Sequence, residues 1–216
     1  MNQRIEQKSA RRDAIVAAAA VQFGQHGFEA TTFGRIADEL GRPRSWIGYH
    51  LFPSKESLAS AVVAEQRARW EDLFERVVAV PEGLPRLLTA LLEAAEEARS
   101  SPVAVAAVRL LREAPELSLT LPSLATSWRD FAIRQVRFEV EERPPTVAVE
   151  PAAFATQLLA ASFGVFETNR SVWSTTDVFE SLAGLWTVLL SGAGFEIPEM
   201  LRRDEMLRRD EPAPSS

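Results

Sequence analysis

Apolar side chains recur along this chain at the spacing of helical turns, and no stretch alternates as a strand would. Over residues 9–26, Ile15, Ala18, Ala19 and Phe23 share one face, and Gly27 follows where a helix can end in the left-handed conformation. Phe33, Ile36, Ala37 and Leu40 form an apolar stripe on a two-turn helix that Thr31 or Thr32 can cap and Gly41 stops. After a break at Pro43, a second short helix is predicted over 44–51. Pro53 and Ser54 open a long helix over 54–80, with Leu58, Ala61 and Val62 on its first part and Trp70, Leu73, Phe74 and Val77 on its second. Prolines divide the rest into helices over 84–99, 102–113, 122–142 and 151–173, and a Ser/Thr-rich turn separates the last of these from a helix over 177–191. The last two are apolar on more than one face, so each is expected to be buried on two sides.

The fold class this predicts is all-α. An N-terminal helix-turn-helix domain would span 1–55, because two short helices joined by a tight glycine-containing turn present the second helix to the DNA major groove. A larger C-terminal ligand-binding and dimerisation domain would span 56–197, with the 54–80 helix shared as a mechanical link. In the polar tail, 198–216, the hexapeptide MLRRDE occurs twice in succession. Six residues is not a helical period, so the tail is expected to fray or stay disordered.

Charge changes this picture modestly. The net charge of −6 is unusual for a nucleic-acid binder. Residues 1–60 nevertheless hold eight Lys/Arg against six Asp/Glu, whereas 61–216 hold 16 against 24. An acidic body repels DNA, so contact must come from a small N-terminal footprint. With no cysteine, disulfide and thiol chemistry are excluded. The polar first residues and the absence of an apolar run long enough to cross a bilayer predict a cytoplasmic protein without a membrane partner.

Catalytic chemistry finds no footing in this sequence. Its two histidines, His26 and His50, stand in no metal-ligand pattern, and neither a phosphate-binding glycine loop nor a nucleophile elbow is present. Adjacent acidic pairs such as Glu96-Glu97 diverge on a helix and read as solvated surface. No enzyme activity and no cofactor are expected.

Phe23 and Gly27, the run Ala30-Thr31-Thr32, the pair Ile36-Ala37, and then Tyr49, Phe52, Ser54, Lys55, Glu56 and Leu58 together resemble the DNA-binding domain of TetR-type transcriptional regulators. The resemblance is dense over 11–66 and weaker to about Gly194. Phe52-Pro53-Ser54-Lys55-Glu56, residues 61–66, Trp128, Leu159-Ala160-Ala161-Ser162-Phe163 and residues 185–190 further resemble the γ-butyrolactone autoregulator receptors of antibiotic-producing bacteria. One interval departs from the pattern: Arg42-Pro43-Arg44-Ser45-Trp46-Ile47-Gly48 carries one extra residue and a helix-weakening glycine. The base-reading residues are therefore what the resemblance transfers least.

From their place in the second short helix, Arg44, Ser45 and Trp46 are expected nearest base edges, with Arg42 reaching bases or phosphate, since arginine matches guanine O6 and N7. The resemblance implies phosphate contacts for Thr32, Tyr49, His50 and Lys55; a core role for Tyr49 and packing beneath the turn for Trp46 are the alternatives. Trp128, Phe131, Ala132 and Gln135 share one helical face that combines an indole, a small residue and an amide, as pockets for small amphiphiles do. The resemblance adds that the tryptophan contacts a lactone, with Gln66 and Ser162 near it. A buried core tryptophan without a ligand, or another effector such as a butenolide, furan or antibiotic, are alternatives. Phe179, Leu182, Trp186, Leu189 and Leu190 carry more apolar surface than one bundle hides, so a homodimer on a palindromic operator is expected, unless Trp186 fills the monomer core. A small apolar signal would release a repressor of this kind from its operator. A receptor-like regulator without lactone response, and a helical interaction module without DNA binding, are further alternatives.

Overall fold

The computed structural model describes residues 2–47, 51–169 and 177–201. Among these there are eight α-helices and three short 3-10 turns, without a strand. They are α1 (Asn2–Ala30), α2 (Phe33–Glu39), α3 (Lys55–Arg76), α4 (Leu84–Ser100), α5 (Pro102–Leu117), α6 (Ala125–Glu142), α7 (Pro151–Asn169) and α8 (Val178–Gly192), with the 3-10 turns at Arg44–Trp46, Val77–Ala79 and Glu199–Leu201. No helix among the described residues is long and apolar enough to cross a membrane.

The chain packs as two compact units. One takes the chain up to Asp72 together with Glu96–Leu124; the other takes Leu73–Ala95 and the described chain from Ala125 to Leu201. Helices α3 and α4 each run unbroken through a division point. This partition by packing differs from the division after residue 55 drawn from function, because α5 packs on α1 from a distant part of the sequence.

In the first unit α1 buries Ile15, Val16, Ala19, Ala20 and Phe23, and α5 buries Val103, Ala104, Ala106, Ala107 and Leu110. Small residues on both helices let them approach closely: a Cβ on Gly24 would stand 3.4 Å from Val105 Cγ1 and 3.7 Å from the backbone nitrogen of Ala106. Gly27 sits inside the span of α1 with φ 78 and ψ 179, so the helix proper ends there and a short turn carries the chain to Thr31. Thr32 is the cap of α2, its Oγ1 accepting from Arg35 N at 3.2 Å. Thr31 is instead fully buried and donates to Gly27 O at 2.7 Å.

Several helix boundaries differ from those drawn from sequence: α1 begins at Asn2 rather than Ser9, α3 gives way to a 3-10 turn after Arg76, and α6 begins at Ala125 rather than Pro122. Helix α5 continues through Pro115 to Leu117 instead of stopping near Glu113, with Pro115 placed in its last turn, where the ring cannot donate the backbone bond to residue 111 but ends the helix within two residues. Ser118, at φ 53, then takes the left-handed conformation, and Leu119 N reaches back to Ala114 O at 3.0 Å. The helix expected over 44–51 begins as a single 3-10 turn, Arg44–Trp46, in which Trp46 N bonds Pro43 O at 2.8 Å. Pro43 offers this turn no side-chain cap. The remainder of that segment, Gly48, Tyr49 and His50, lies outside the described residues, as do the turn over 170–176 and the MLRRDE repeat from residue 202 on.

In the second unit α6 packs on α7 and α7 on α8. The core holds Trp128, Phe131, Ala132 and Val136 of α6, Phe154, Ala155, Leu158 and Leu159 of α7, and Leu182, Trp186 and Leu190 of α8. A polar cluster closes the start of α4: Gln135 Oε1 accepts from Gly83 N at 3.0 Å and Glu139 Oε2 from Leu84 N at 2.8 Å. Arg143 Nε donates to Glu139 Oε1 at 2.6 Å, so this 4%-exposed carboxylate has both a cation and a helix N-terminus as partners. That hydrogen bond to Glu139 comes first among the causes that raise the Arg143 pKa; burial works the other way.

Candidate nucleic-acid interface and the Trp128 cluster

At the turn after α2, Arg42, Arg44 and Ser45 are exposed while Trp46 is half-buried and Ile47 fully so. The indole of Trp46 stands 5.0 Å from the guanidinium carbon of Arg11 and 5.6 Å from that of Arg42. Arg11 Nη2 also donates to Trp46 O. The structure thus brings four of the expected residues together on one turn and adds Arg11 from α1. Thr32 is exposed at the start of α2, where its hydroxyl oxygen serves as the helix cap. Lys55 Nζ lies 4.4 Å from the Phe28 ring centroid and donates to Glu29 O at 3.1 Å, a cation drawn to carbonyls where α1 ends. Tyr49 and His50 fall outside the described residues.

A second contact reaches the same end of α1. Arg109 Nη1 donates to Gly24 O at 3.1 Å and to Gln25 O at 3.0 Å, and Arg109 Nε donates to Glu113 Oε1 at 2.8 Å. Glu113 Oε2 in turn accepts from Phe28 N at 2.8 Å. Burial pushes the Glu113 carboxyl up, but hydrogen bonds from Arg109 and Phe28 and the charges of Arg109 and Arg112 outweigh it and hold the group below its ordinary range. Sequence reasoning missed this clamp. Its only sequence signal is an Arg-Glu pair four residues apart on a helix, which usually means solvated surface.

In the other unit, Trp128 is 1% exposed and ringed by phenylalanines. Phe74, Phe131 and Phe163 meet it edge to face at centroid distances of 5.0, 6.2 and 6.0 Å, and Phe74 stacks on Phe131 at 4.2 Å. Phe74 and Phe163 are half-buried, so the cluster reaches the surface of its unit. Gln135 shares the helix face of Trp128, but its carbonyl oxygen is engaged by Gly83 N. Ser162 is fully buried, donating to Leu158 O at 2.7 Å and accepting from Trp186 Nε1 at 2.9 Å. Gln66 belongs to the first unit; it is fully buried, and its Nε2 donates to Glu97 Oε2 at 3.2 Å. Its Oε1 has no hydrogen-bond partner among the described residues.

The expected dimer residues divide by face. Leu182, Trp186 and Leu190 are each 0% exposed within the single chain and leave no surface for a partner; Phe179 and Leu189 are half-buried. The outward face of α8 is instead Gly184, Leu185, Val188 and Gly192, with Val188 71% exposed. On α7 the outward face is Ala153, Gln157, Ala160 and Gly164. A Cβ on Gly164, Gly184 or Gly192 would meet nothing within 4 Å.

Residues 15–62 match the family described as bacterial regulatory proteins, tetR family. No curated protein matches the chain. Among solved structures, one described as the molecular basis for control of antibiotic production by a bacterial hormone is 29% identical, with a TM-score of 0.75 over 83% of this chain and 95% of that one. A γ-butyrolactone receptor described as an ArpA-like protein is 22% identical, with a TM-score of 0.72 over 93% and 95%. The TetR family protein CprB from Streptomyces coelicolor, solved with its biological operator sequence, is 23% identical, with a TM-score of 0.72 over 94% and 97%. Residues 15–62 therefore carry the N-terminal domain of the tetR family of bacterial regulatory proteins, and the chain has the all-helical fold of these solved structures.

Proposed function

We propose that this protein is a ligand-responsive transcriptional repressor that binds a palindromic operator as a homodimer and leaves it when a small apolar signal, such as a γ-butyrolactone, binds in the C-terminal domain. The observation that carries the DNA-binding part is the exposure of Arg42, Arg44 and Ser45 on the turn after α2, within the segment that matches the tetR family. Arginine at that place can bond bidentately to guanine, and Thr32 and the first turn of α3 supply backbone N–H groups for phosphate. One such turn covers few base pairs, so specificity calls for two copies.

The effector reading rests on the aromatic cluster of Trp128, Phe131, Phe74 and Phe163. Two of its rings are half-buried, so an apolar ligand can extend the cluster by displacing them. A ligand shifts the DNA-competent state only by its differential affinity for two arrangements. Helices α3 and α4, continuous between the units, are the elements through which that difference can act. For the dimer, the outward faces of α7 and α8 supply a small-residue surface on which a second copy can pack closely.

Random-sequence duplex selection followed by gel shift tests DNA binding. Candidate lactones, butenolides and furans are then titrated against the selected duplex while tryptophan fluorescence is followed in wild type and Trp128→Ala. Release of DNA by a lactone in the wild type but not in Trp128→Ala is expected. A response only to another of these chemical classes would favour that effector, and no response to any would leave the DNA-binding reading alone standing.

A further inference from the structure

We propose that Arg11 is a positioning residue for sequence readout: with Trp46 it holds the reading turn against α1 so that Arg44 and Ser45 face outward, and it does not itself contact DNA. This rests on the DNA-binding reading above and concerns how that binding becomes selective.

The described part of the reading segment is one 3-10 turn, closed by Trp46 N to Pro43 O at 2.8 Å and Ile47 N to Arg44 O at 3.2 Å. A 3-10 turn has poorer hydrogen-bond geometry than an α-helical one, and this one has no side-chain cap, so contacts from elsewhere in the chain help to fix the direction of Arg44 and Ser45. Arg11 does so from a position 35 residues earlier: its Nη2 donates to Trp46 O, the carbonyl at the end of the turn, and its guanidinium carbon lies 5.0 Å from the indole centroid. The one side chain thus holds both the backbone and the ring of Trp46. Arg42 adds a second cation 5.6 Å from the same ring. The burial pattern agrees: Trp46 is half-buried, and Arg44 and Ser45 are exposed.

A phosphate-contacting arginine would have its guanidinium free in solvent. Arg11 is half-buried and its outer nitrogen is used on a protein carbonyl. Loosening this tie leaves the charges of Arg42 and Arg44 able to meet phosphates wherever the turn swings, so non-specific binding survives. What is lost is the fixed orientation that bidentate base recognition needs. Lysine keeps the charge at position 11 but cannot stack a planar fork on an indole while bonding a carbonyl with it.

The test uses the full-length protein, a duplex selected by the wild type from a random-sequence pool, and a scrambled duplex of equal length. Dissociation constants for both are measured across a salt series for wild type, Arg11→Lys, Arg11→Ala, Trp46→Phe and Trp46→Ala, with thermal unfolding confirming each fold. Arg11→Lys and Trp46→Ala should lower the selected-to-scrambled affinity ratio by about tenfold or more, with scrambled binding and the salt slope unchanged. Trp46→Phe should keep most of the ratio. A wild-type ratio in Arg11→Lys overturns the proposal, as does an equal loss on both duplexes in Arg11→Ala with a salt slope lower by about one, the signature of a phosphate contact. If the wild type selects no duplex at all, the DNA-binding reading itself fails and takes this one with it.

Discussion

The carboxylate of Glu113 accepts the backbone N–H of Phe28 at 2.8 Å, across 85 positions of sequence, at the residue where the chain turns out of α1. Its other oxygen holds Arg109, which caps the Gly24 and Gln25 carbonyls, so one Arg-Glu pair serves both the donor and the acceptors that a terminating helix leaves open. The expected consequence is that Glu113→Gln destabilises the protein by about 1–3 kcal/mol at neutral pH, because the Phe28 amide and the Arg109 cation lose their charged partner. Urea unfolding of the two proteins measures it.

The same carboxyl titrates in a defined direction. Its folded-state pKa lies below the ordinary 4.5, so the stability it contributes is fully present above that value and is lost as pH falls through the lowered one. Wild type should therefore lose melting temperature more steeply than Glu113→Gln below about pH 4.5. Parallel melting curves between pH 3 and 7 for the two proteins would show that the pair contributes nothing.

Gly27 and Gly41 both have positive φ, 78 and 60, but only one is crowded. A Cβ at Gly27 would stand 2.6 Å from Glu113 Oε1 and 2.8 Å from Arg109 Nη2, whereas at Gly41 it would meet nothing. Gly41→Ala should cost about 1–2 kcal/mol from the left-handed backbone alone. Gly27→Ala should cost visibly more in the same melting experiment, since it also displaces the clamp.

At the DNA face, Arg44→Ala should weaken binding to a selected duplex by about 1–3 kcal/mol and leave scrambled duplex nearly untouched. Gel shifts on both duplexes decide the matter. An equal loss on the two would remove Arg44 from base readout.

The outward face of α8 makes a different prediction from its buried face. Val188→Glu, at a 71%-exposed position, should convert a sedimenting species of twice 23.9 kDa to one of 23.9 kDa without unfolding it. Trp186→Ala should instead unfold or destabilise the chain by about 3–5 kcal/mol, because that indole is fully buried and its Nε1 bonds Ser162. A clean monomer in the wild type would refute the interface.

What this sequence determined by itself is its helical grammar. The spacing of Phe33, Ile36, Ala37 and Leu40, the left-handed glycine at position 27 and the prolines at 102 and 151 act over one or two turns, and local interactions of that range are legible in order along the chain, whereas the choice of Thr32 over the buried Thr31 as the cap of α2 came from the structure. Which face of an apolar helix is covered is not local. On α8, Leu182, Trp186 and Leu190 are as apolar as the surface around Val188, and their burial within the unit that holds α7 decides which is core. Gln135 looked like a polar group in an apolar wall, and only the approach of Gly83 shows that its oxygen has a partner. Arg11 with Trp46, and Glu113 with Phe28, meet across tens of residues in pairings that no periodicity encodes. The reason is physical: helix propensity and capping are settled between near neighbours, whereas the partner of a buried polar group is whichever element the packed core brings beside it.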